Sequence, residues 1–381
     1  MRLLYLTRTY TGHDARWLRV LAEQGLALGF LPLQHTHAGG FTAAHPNVEL
    51  LSSPGLPAGA NTRELDDAEP LVRQVCRHWR PDVVLAGPLT DAGYLAARIL
   101  PERTLMMSWA FDVLHEPAVS PAAAERLKVA LGAGRYLFAD CQDVARQCEA
   151  LAGREYHGTC VLPWGLAAED KPVPTTVRLR RRFGDESSKV VIYTRGFEPV
   201  HQPQIVIEAF RQAFSGDSRL RLLLAGAGSL RARLENTVET AGLKHAVRFL
   251  GQLDQAGLAG ALAEADVYLA CSLSDGSSIS LLQAMHAGLP CIAAELPGNR
   301  EWLEPGGGWL VSAGEPDGFG RAIQECLHLS SDARELMAGT NRSRASLRAN
   351  LEDNLPRLLR LCEVIALESR PGRASLPTIV L

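Results

Sequence analysis

The sequence predicts an α/β protein of two Rossmann-like domains that face each other across a cleft. Short β-rich runs alternate with helix-length amphipathic segments along the chain, which is the pattern of parallel sheets covered by helices. At 381 residues the chain is too long for one ordinary core and suits two domains of common size. Residues 166–188 are rich in proline and charge and poor in apolar residues, so they form the predicted interdomain linker.

The first predicted domain covers residues 1–165. Its strand-like runs are short, apolar and bounded by turn residues, and they fall at residues 2–6, 27–33, 82–86, 104–108, 136–139 and 159–163. After the first run, Trp17, Leu18 and Leu21 share one face of a predicted helix that stops at Gly25.

The second predicted domain covers residues 189–345 and repeats the scheme. Its strand-like runs fall at residues 189–193, 220–226, 246–251, 266–271, 290–294 and 308–311. Residues 346–381 are predicted to form a C-terminal helix and tail that cross back to the first domain. Because Pro356 lies inside the helical pattern 342–368, a kink is expected there.

Composition narrows the class of protein. A net charge of −3 with 46% hydrophobic and 21% charged residues gives no sign of a polyanion partner, so nucleic acid is not expected to bind. No run approaches the roughly 18 apolar residues of a membrane span, and the first ten residues are too short and too charged for a signal peptide. The predicted compartment is the cytoplasm.

Two smaller features bear on partners and metals. The run RLRRRF at 178–183 is interpreted as a solvated helix face or, alternatively, as a patch for an anionic membrane, so membrane association is expected to be peripheral at most. The eight cysteines form no CxxC pair and are expected to be reduced core residues. No metal site is predicted.

One stretch, SDGSSISLLQAMHAGLP at 274–290, combines a predicted strand end with a predicted helix start. Asp275 and Gly276 form the turn, and Ser277 and Ser278 can cap the helix or donate hydrogen bonds. The N–H groups of 276–279 at a helix N-terminus would hold a phosphate without a lysine. Simple helix capping explains the same residues, and a hydrolase elbow would need a final glycine that GSSIS lacks.

With Gly288, Pro290, Gly298 and Glu301, this stretch resembles the nucleotide-sugar signature of family 4 glycosyltransferases, which have the two-domain GT-B fold. Other segments resemble the family in the same order; they are 195–210, 222–235, 247–253 and, more weakly, MMSWAFDVL and VLPWGL in the first half. The resemblance covers roughly residues 1–330 and is specific in the second half.

The resemblance implies transfer of a sugar from a nucleotide-diphosphate sugar, a UDP- or GDP-sugar, to an acceptor hydroxyl with retention of anomeric configuration and without a bound metal. It implies catalytic roles for Arg195, Asp275 and His13. The implied donor-binding residues are Gly12, Gly226, Gly228, Gly276, Ser277, Ser278, Ile279, Gln283 and His201. The acceptor stays open among a natural-product aglycone, a lipid-linked saccharide and a polysaccharide precursor.

The sequence departs from the family pattern at the ribose and at the diphosphate. Gln283 stands where the family has a glutamate, so ribose binding is expected in weakened form. The lysine that accompanies Arg195 in the family is missing; His201, charged part of the time near a pKa of ~6.5, or Arg211 would compensate. An exposed loop histidine is the competing interpretation of His201.

In the first half, Trp109 takes the place of a family histidine and would stack on a sugar ring. Asp112 either binds the acceptor or caps a loop, and His13 or Asp14 either meets the substrate or starts a helix. Two other functions stay open: a catalytically silent relative acting as a binding or partner subunit, and a nucleotide-sugar epimerase, which would turn over donor without acceptor.

Overall fold

The computed structural model describes residues 1–167, 187–369 and the strand at 379–380, so most of the predicted linker and the RLRRRF run lie outside the described residues. The chain divides into two compact units. Unit 1 comprises Met1–Trp164 and Leu351–Leu381, and unit 2 comprises Gly165–Asn350. No helix in the described ranges is long and apolar enough to cross a membrane.

Unit 1 is built on a parallel sheet. Its strands from the N-terminal half are β1 Arg2–Thr7, β2 Ala27–Pro32, β3 Val48–Leu50, β4 Val83–Gly87, β5 Thr104–Met107, β6 Tyr136–Ala139 and β7 Gly158–Val161. β1 lies in the middle, where Leu3 pairs with Leu28 of β2 on one side and with Val83 of β4 on the other. The order β7-β6-β5-β4-β1-β2-β3 reverses beside β1.

Helices cover this sheet and supply the apolar residues that bury it. They are α1 Gly12–Ala22, α2 Ala38–Ala44, α3 Thr62–Trp79, α4 Tyr94–Ile99, α5 Phe111–Leu114, α6 Glu116–Val119, α7 Pro121–Ala133 and α8 Gln142–Ala152. Thr11 and Asp14 form a capping box at the start of α1, and Trp17, Leu18 and Leu21 are buried as the periodicity predicts. Burial of this apolar face fixes α1 against the sheet.

Unit 2 has a second parallel sheet. Its strands are β8 Lys189–Tyr193, β9 Leu220–Ala225, β10 Val247–Gly251, β11 Val267–Ala270, β12 Cys291–Ala294 and β13 Gly308–Val311. The order is β10-β9-β8-β11-β12-β13, so the winding reverses between β8 and β11. In open α/β sheets, ligands bind beyond the carboxyl ends of the strands at such a reversal.

The helices of unit 2 are α9 Pro203–Gly216, α10 Arg231–Thr240, α11 Gln255–Ala263, α12 Ile279–His286, α13 Pro297–Leu303, α14 Pro316–Leu327 and α15 Ser331–Arg348. They form two cores, one on each face of the sheet. Val191 and Tyr193 of β8 belong to one core, and Val190 and Ile192 belong to the other. Burial on both faces explains why β8 reads as a continuous apolar run rather than an alternating one.

The C-terminal segment returns to unit 1 as α16 Leu351–Glu368 and β14 Ile379–Val380, and β14 pairs with β7 at the sheet edge. The Glu368 carboxylate accepts hydrogen bonds from Tyr136 Oη at 2.5 Å and lies 2.9 Å from His157 Nε2. These side-chain contacts hold the end of α16 against the sheet of unit 1.

The prediction of one kinked helix over 342–368 is wrong. The chain leaves the helical path at Ala349 and Asn350, because Leu166 N–H bonds to the Ala349 carbonyl at 2.6 Å and Leu166 forms a β-bridge with Asn350. This contact separates α15 from α16. Pro356 lies inside α16.

All twelve strands predicted from the sequence are present, within about two residues at each end. Two further strands, β3 with three residues and β14 with two, were not predicted. Strands this short carry too few residues for alternation to be recognised. All eight cysteines are buried.

Candidate functional site

The carboxyl ends of β8 and β11 meet at the winding reversal of unit 2, and most of the predicted donor-site residues follow these two strands. Arg195 follows β8, and Asp275 follows β11 on the turn that leads into α12. Arg195 and Asp275 are 13% and 16% exposed and form an ion pair, with Nη1 2.6 Å from Oδ2. Residues 80 apart in sequence thus form one charged centre at the position where the fold favours a ligand.

The Arg195 guanidinium also contacts the start of α12. Nη1 donates to Ser278 Oγ, and Ser280 Oγ lies 3.4 Å from it. Tyr268 Oη donates to Ser280 Oγ at 2.9 Å, and burial raises the pKa of Tyr268 to about 12. Because its planar fork is held by several acceptors at once, Arg195 has a fixed orientation toward the first turn of α12.

The electrostatics of the ion pair follow from its burial. Burial by itself lowers the pKa of Arg195, but Asp275, with smaller contributions from Tyr268 and Tyr193, opposes burial and the pKa is raised overall. Burial raises the pKa of Asp275, and Arg195 opposes that change. Each charge is therefore stabilised in a poorly hydrated place by its partner.

His201 lies at the end of a short 3₁₀ turn, Pro199–His201, beside Arg195. Its Nδ1 is 3.1 Å from Arg195 Nη2 and 3.3 Å from Ser272 Oγ. Burial, and then the Arg195 charge, lower the pKa of His201 to about 3. The expectation that His201 carries charge part of the time is therefore wrong for this structure, and so is the interpretation as an exposed loop histidine.

The turn before α12 does more than cap the helix. Ser278 occupies the N-cap position, but its side chain makes no capping hydrogen bond and instead binds Arg195. Ser277 Oγ accepts a hydrogen bond from the buried Trp302 indole at 2.9 Å. The Gly276 N–H is directed at the Asp275 carboxylate. The simple capping interpretation thus does not account for Ser277 and Ser278.

Three close backbone approaches in this region require glycine. A methyl group at Gly298 would come closer than 3.0 Å to the Gly276 carbonyl oxygen, so the approach of α13 to the 275–278 turn requires glycine at position 298. Gly226 has φ +149°, and a methyl group there would come closer than 3.0 Å to the Arg195 carbonyl oxygen. Gly228 has φ +156° and packs on the Phe197 backbone.

The remaining predicted residues of α12 are Ile279, which begins the helix and is half-buried, and Gln283, which is 6% exposed. The N–H groups of the first helical turn have no partner within the helix, and the helix dipole places partial positive charge there.

The segment 247–253 lies along β10, where Arg231 stacks on the Phe249 ring at 4.3 Å.

Gly12 and His13 belong to unit 1, at the exposed start of α1. The His13 ring lies 6.3 Å from the Trp164 ring, and the Trp109 ring lies 5.6 Å from the Trp164 ring. Asp14 rather than His13 completes the helix cap. These aromatic side chains form a group at the carboxyl edge of the unit 1 sheet.

Asp112 caps a loop. Its carboxylate accepts hydrogen bonds from Leu89 N–H at 2.6 Å, Trp109 N–H at 2.9 Å and Ser108 Oγ at 3.0 Å. Burial raises its pKa to about 6. Of the two interpretations of this residue, the structure favours the loop cap, since Asp112 is fully buried and these bonds occupy both carboxylate oxygens.

Sequence reasoning missed several residues that build the site: Ser272, Ser280, Tyr268 and Trp302. A serine near a strand end has no special signal by itself. Ser272 and Ser280 gain their positions only because β8 and β11 are neighbours in the sheet.

The fold places the protein in a known structural class. The two parallel-sheet α/β units have the GT-B fold, which solved glycosyltransferase structures share along nearly the whole chain. HepE of Anabaena, solved in complex with UDP, matches with TM-score 0.78 and 19% identity over 95% of this chain and 100% of that chain. Sucrose-phosphate synthase of Thermosynechococcus elongatus matches with TM-score 0.79 and 18% identity over 97% of this chain and 100% of that chain.

The family model described as glycosyl transferases group 1 matches residues 178–344. This match covers most of unit 2, and the resemblance to family 4 glycosyltransferases is confirmed.

Curated relatives match shorter segments. N-acetyl-alpha-D-glucosaminyl L-malate synthase of Bacillus anthracis is 31% identical over 39% of this chain and 39% of its own length. A phosphatidyl-myo-inositol mannosyltransferase of Mycobacterium leprae is 34% identical over 35% of this chain and 36% of its own length. A D-inositol 3-phosphate glycosyltransferase of Geodermatophilus obscurus is 28% identical over 55% of this chain and 48% of its own length. The matches thus span less than half of each of these relatives.

Proposed function

We propose that the protein transfers a sugar from a nucleotide-diphosphate sugar to an acceptor hydroxyl with retention of anomeric configuration. The observation that carries the proposal is the Arg195 guanidinium, which is fixed by Asp275, Ser278 and His201 at the winding reversal of unit 2, beside the N-terminus of α12. A fixed cation and a helix N-terminus together suit a bound diphosphate. HepE, which shares the fold, was solved with UDP and with UDP-glucose.

The proposed chemistry places modest demands on the protein. As the bond from the anomeric carbon to the diphosphate breaks, negative charge grows on the leaving phosphate, and Arg195 with the N–H groups of 276–279 would stabilise it. The leaving phosphate takes the proton of the acceptor hydroxyl, which attacks on the same face of the sugar. No protein nucleophile or metal takes part, and orientation of the two substrates supplies the rest.

Roles for the other predicted residues follow from this chemistry. Asp275 would contact the hydroxyls of the donor sugar with the oxygen that does not bind Arg195, and Gln283 would bind the ribose. Gly226 and Gly228 would let the backbone approach the nucleotide. In unit 1, Gly12 and His13 would contact the acceptor, and the group of Trp109 and Trp164 would pack on an acceptor ring.

The acceptor is proposed as a hydroxyl compound: a natural-product aglycone, a lipid-linked saccharide or a polysaccharide precursor. Two of the similar curated proteins have names that contain inositol, a polyhydroxylated ring. That similarity supports a polyhydroxylated acceptor and gives a practical starting panel for activity assays.

The direct test is to incubate the full chain with UDP-glucose and, separately, GDP-mannose, with and without a panel of polyhydroxylated acceptors. The expected result is binding of one donor, measured by calorimetry, and acceptor-dependent release of the nucleoside diphosphate with an α-linked product identified by NMR. Turnover of donor without any acceptor into an epimer would identify an epimerase instead. Absence of binding to both donors would remove the basis of the proposal.

Replacing Gln283 by glutamate should strengthen donor binding. Gln283 is nearly fully buried on α12, and a carboxylate there would bind a ribose diol with charge assistance that the amide lacks. Charge-assisted hydrogen bonds exceed neutral ones by about 1 kcal/mol, so the Kd for the donor is expected to fall roughly fivefold in Gln283→Glu.

Calorimetric titration of Gln283→Glu and the natural chain with the same donor gives the comparison. Gln24→Glu, at an exposed position just after α1, is a matched control that should leave the Kd unchanged. An unchanged Kd in Gln283→Glu would show that this side chain does not contact the ribose.

A further inference from the structure

The Nδ1 atom of His201 has two polar neighbours, and only one of them can accept a hydrogen bond. Arg195 Nη2 lies 3.1 Å away and only donates, whereas Ser272 Oγ lies 3.3 Å away and can donate or accept. Nδ1 therefore accepts from Arg195 and carries no proton, so the single proton of the neutral imidazole is on Nε2. A second proton can enter only at Nδ1, and only if Arg195 Nη2 moves off.

The charged and titratable groups around His201 leave the site without net positive charge. Arg195 is paired with Asp275 at 2.6 Å, Tyr193 Oη donates to the His201 carbonyl at 3.4 Å, and the Glu198 carboxylate is bound to Ser229. Burial and the Arg195 charge lower the pKa of His201, so its ring is neutral near physiological pH. Arg195, Asp275 and His201 together then carry no net charge.

A diphosphate diester brings two negative charges to this place. Resting on the function proposed above, we propose that donor binding draws one proton from solvent onto His201 Nδ1, so that an imidazolium formed on binding supplies the second positive charge beside Arg195. Arg195 Nη2 turns from Nδ1 to the diphosphate, and the new Nδ1–H donates to Ser272 Oγ. Ser272 is buried and already within reach, so the imidazole ring keeps its place during the exchange.

The direction of the pH dependence follows from linkage. The diphosphate charge raises the pKa of His201 in the complex toward its ordinary value. In the free protein the imidazole is neutral and its Nδ1 carries no proton. The complex then holds a proton that the free protein lacks, so donor affinity is highest at low pH and falls as pH rises. For a pKa of ~6.5 in the complex, the Kd at pH 8 should be roughly tenfold weaker than at pH 5.5.

The experiment is a calorimetric titration of the full chain with UDP-glucose between pH 5.5 and pH 8, in two buffers of different ionisation enthalpy at each pH. GDP-mannose serves as the second probe. Both are diphosphate diesters that do not titrate in this range, unlike free UDP, whose terminal phosphate has a second pKa near ~6. We expect uptake of about 0.9 proton on binding at pH 5.5 and close to none at pH 8.

Two variants separate His201 from other titrating groups. His201→Gln and His201→Asn each keep a neutral hydrogen-bonding side chain that does not titrate in this range, so neither variant should take up the proton. Asp14 and Asp112, whose pKa burial raises to about 6, titrate in the same window but are unchanged in all three proteins.

Proton uptake that is present in the natural chain and lost in both variants supports the inference. A pH-independent Kd with no proton uptake, or the same uptake in His201→Gln, would overturn it while leaving the proposed function intact. Failure of the natural chain to bind either donor at any pH would instead overturn the proposed function itself.

Discussion

Replacing Arg195 by alanine should weaken binding of UDP-glucose, or of GDP-mannose if that is the preferred donor, by roughly 10- to 150-fold. The range corresponds to the ~1.5–3 kcal/mol that hydrogen bonds to charged groups contribute. Arg195 is the guanidinium that lies at the winding reversal and contacts both Asp275 and the first turn of α12. Its loss would also leave the Asp275 carboxylate buried without its cation.

The effect on turnover should exceed the effect on binding, because Arg195 would stabilise charge that grows as the diphosphate leaves. Removal of one such group from an active site lowers rates by about 10²–10³-fold. Arg195→Lys should also be impaired, since a single ammonium cannot contact Ser278 and His201 from the two ends of a planar fork. Rates of nucleoside diphosphate release, with Kd from calorimetry, separate the two effects.

Arg211→Ala is the matched control. Arg211, which the sequence offered as a replacement for the missing lysine, is exposed and paired with Glu208 at 2.6 Å on α9, so we expect its removal to leave donor binding and turnover unchanged. Circular dichroism of each variant checks that the fold is intact. If Arg195→Ala bound and consumed donor like the natural chain, the site would have to lie elsewhere.

Replacing Gly226 by alanine should destabilise unit 2 and weaken donor binding together. Gly226 has φ +149°, which side chains other than glycine rarely adopt, and such backbone strain costs about 1–3 kcal/mol. The added methyl group would also meet the Arg195 carbonyl oxygen. Because backbone cannot rotate away as a flexible side chain would, relief of the contact requires movement of Arg195 itself.

The measurement is urea denaturation followed by fluorescence, together with calorimetric titration of the folded variant with UDP-glucose and GDP-mannose. Gly339→Ala is the matched control, since Gly339 lies within α15 and has nothing within 4 Å of the added methyl group. That change should stabilise the protein by about 0.5–1 kcal/mol, as alanine does in a helix. If Gly226→Ala had the same stability and donor affinity as the natural chain, this backbone contact would not be what holds Arg195 in place.

The fold was predictable from the sequence to a large extent because its signals are local. Runs such as VVIY, residues 190–193 of β8, are buried on both faces and so remain apolar at each successive position. The amphipathic face of α1 repeats every three to four residues. The split of the C-terminal segment at Asn350 was not predictable, because the contact that splits it comes from Leu166.

The candidate site was only partly predictable. The resemblance to family 4 glycosyltransferases identified Arg195, Asp275 and Ser278 as site positions. It did not show whether their side chains are in contact. The charge of His201 was predicted wrongly, because the sequence does not reveal burial or the nearby Arg195 guanidinium that together lower its pKa.

The sequence by itself determined two alternating α/β units and the strand-to-helix turn at 275–278, since backbone propensity and burial periodicity act between residues close in the chain. Only the tertiary structure decided that Arg195 meets Ser278, 83 residues away, and that Ser272 and His201 complete the same centre. The physical reason is the strand order. β11 pairs beside β8, and this long-range pairing brings together side chains whose local sequences carry no sign of each other.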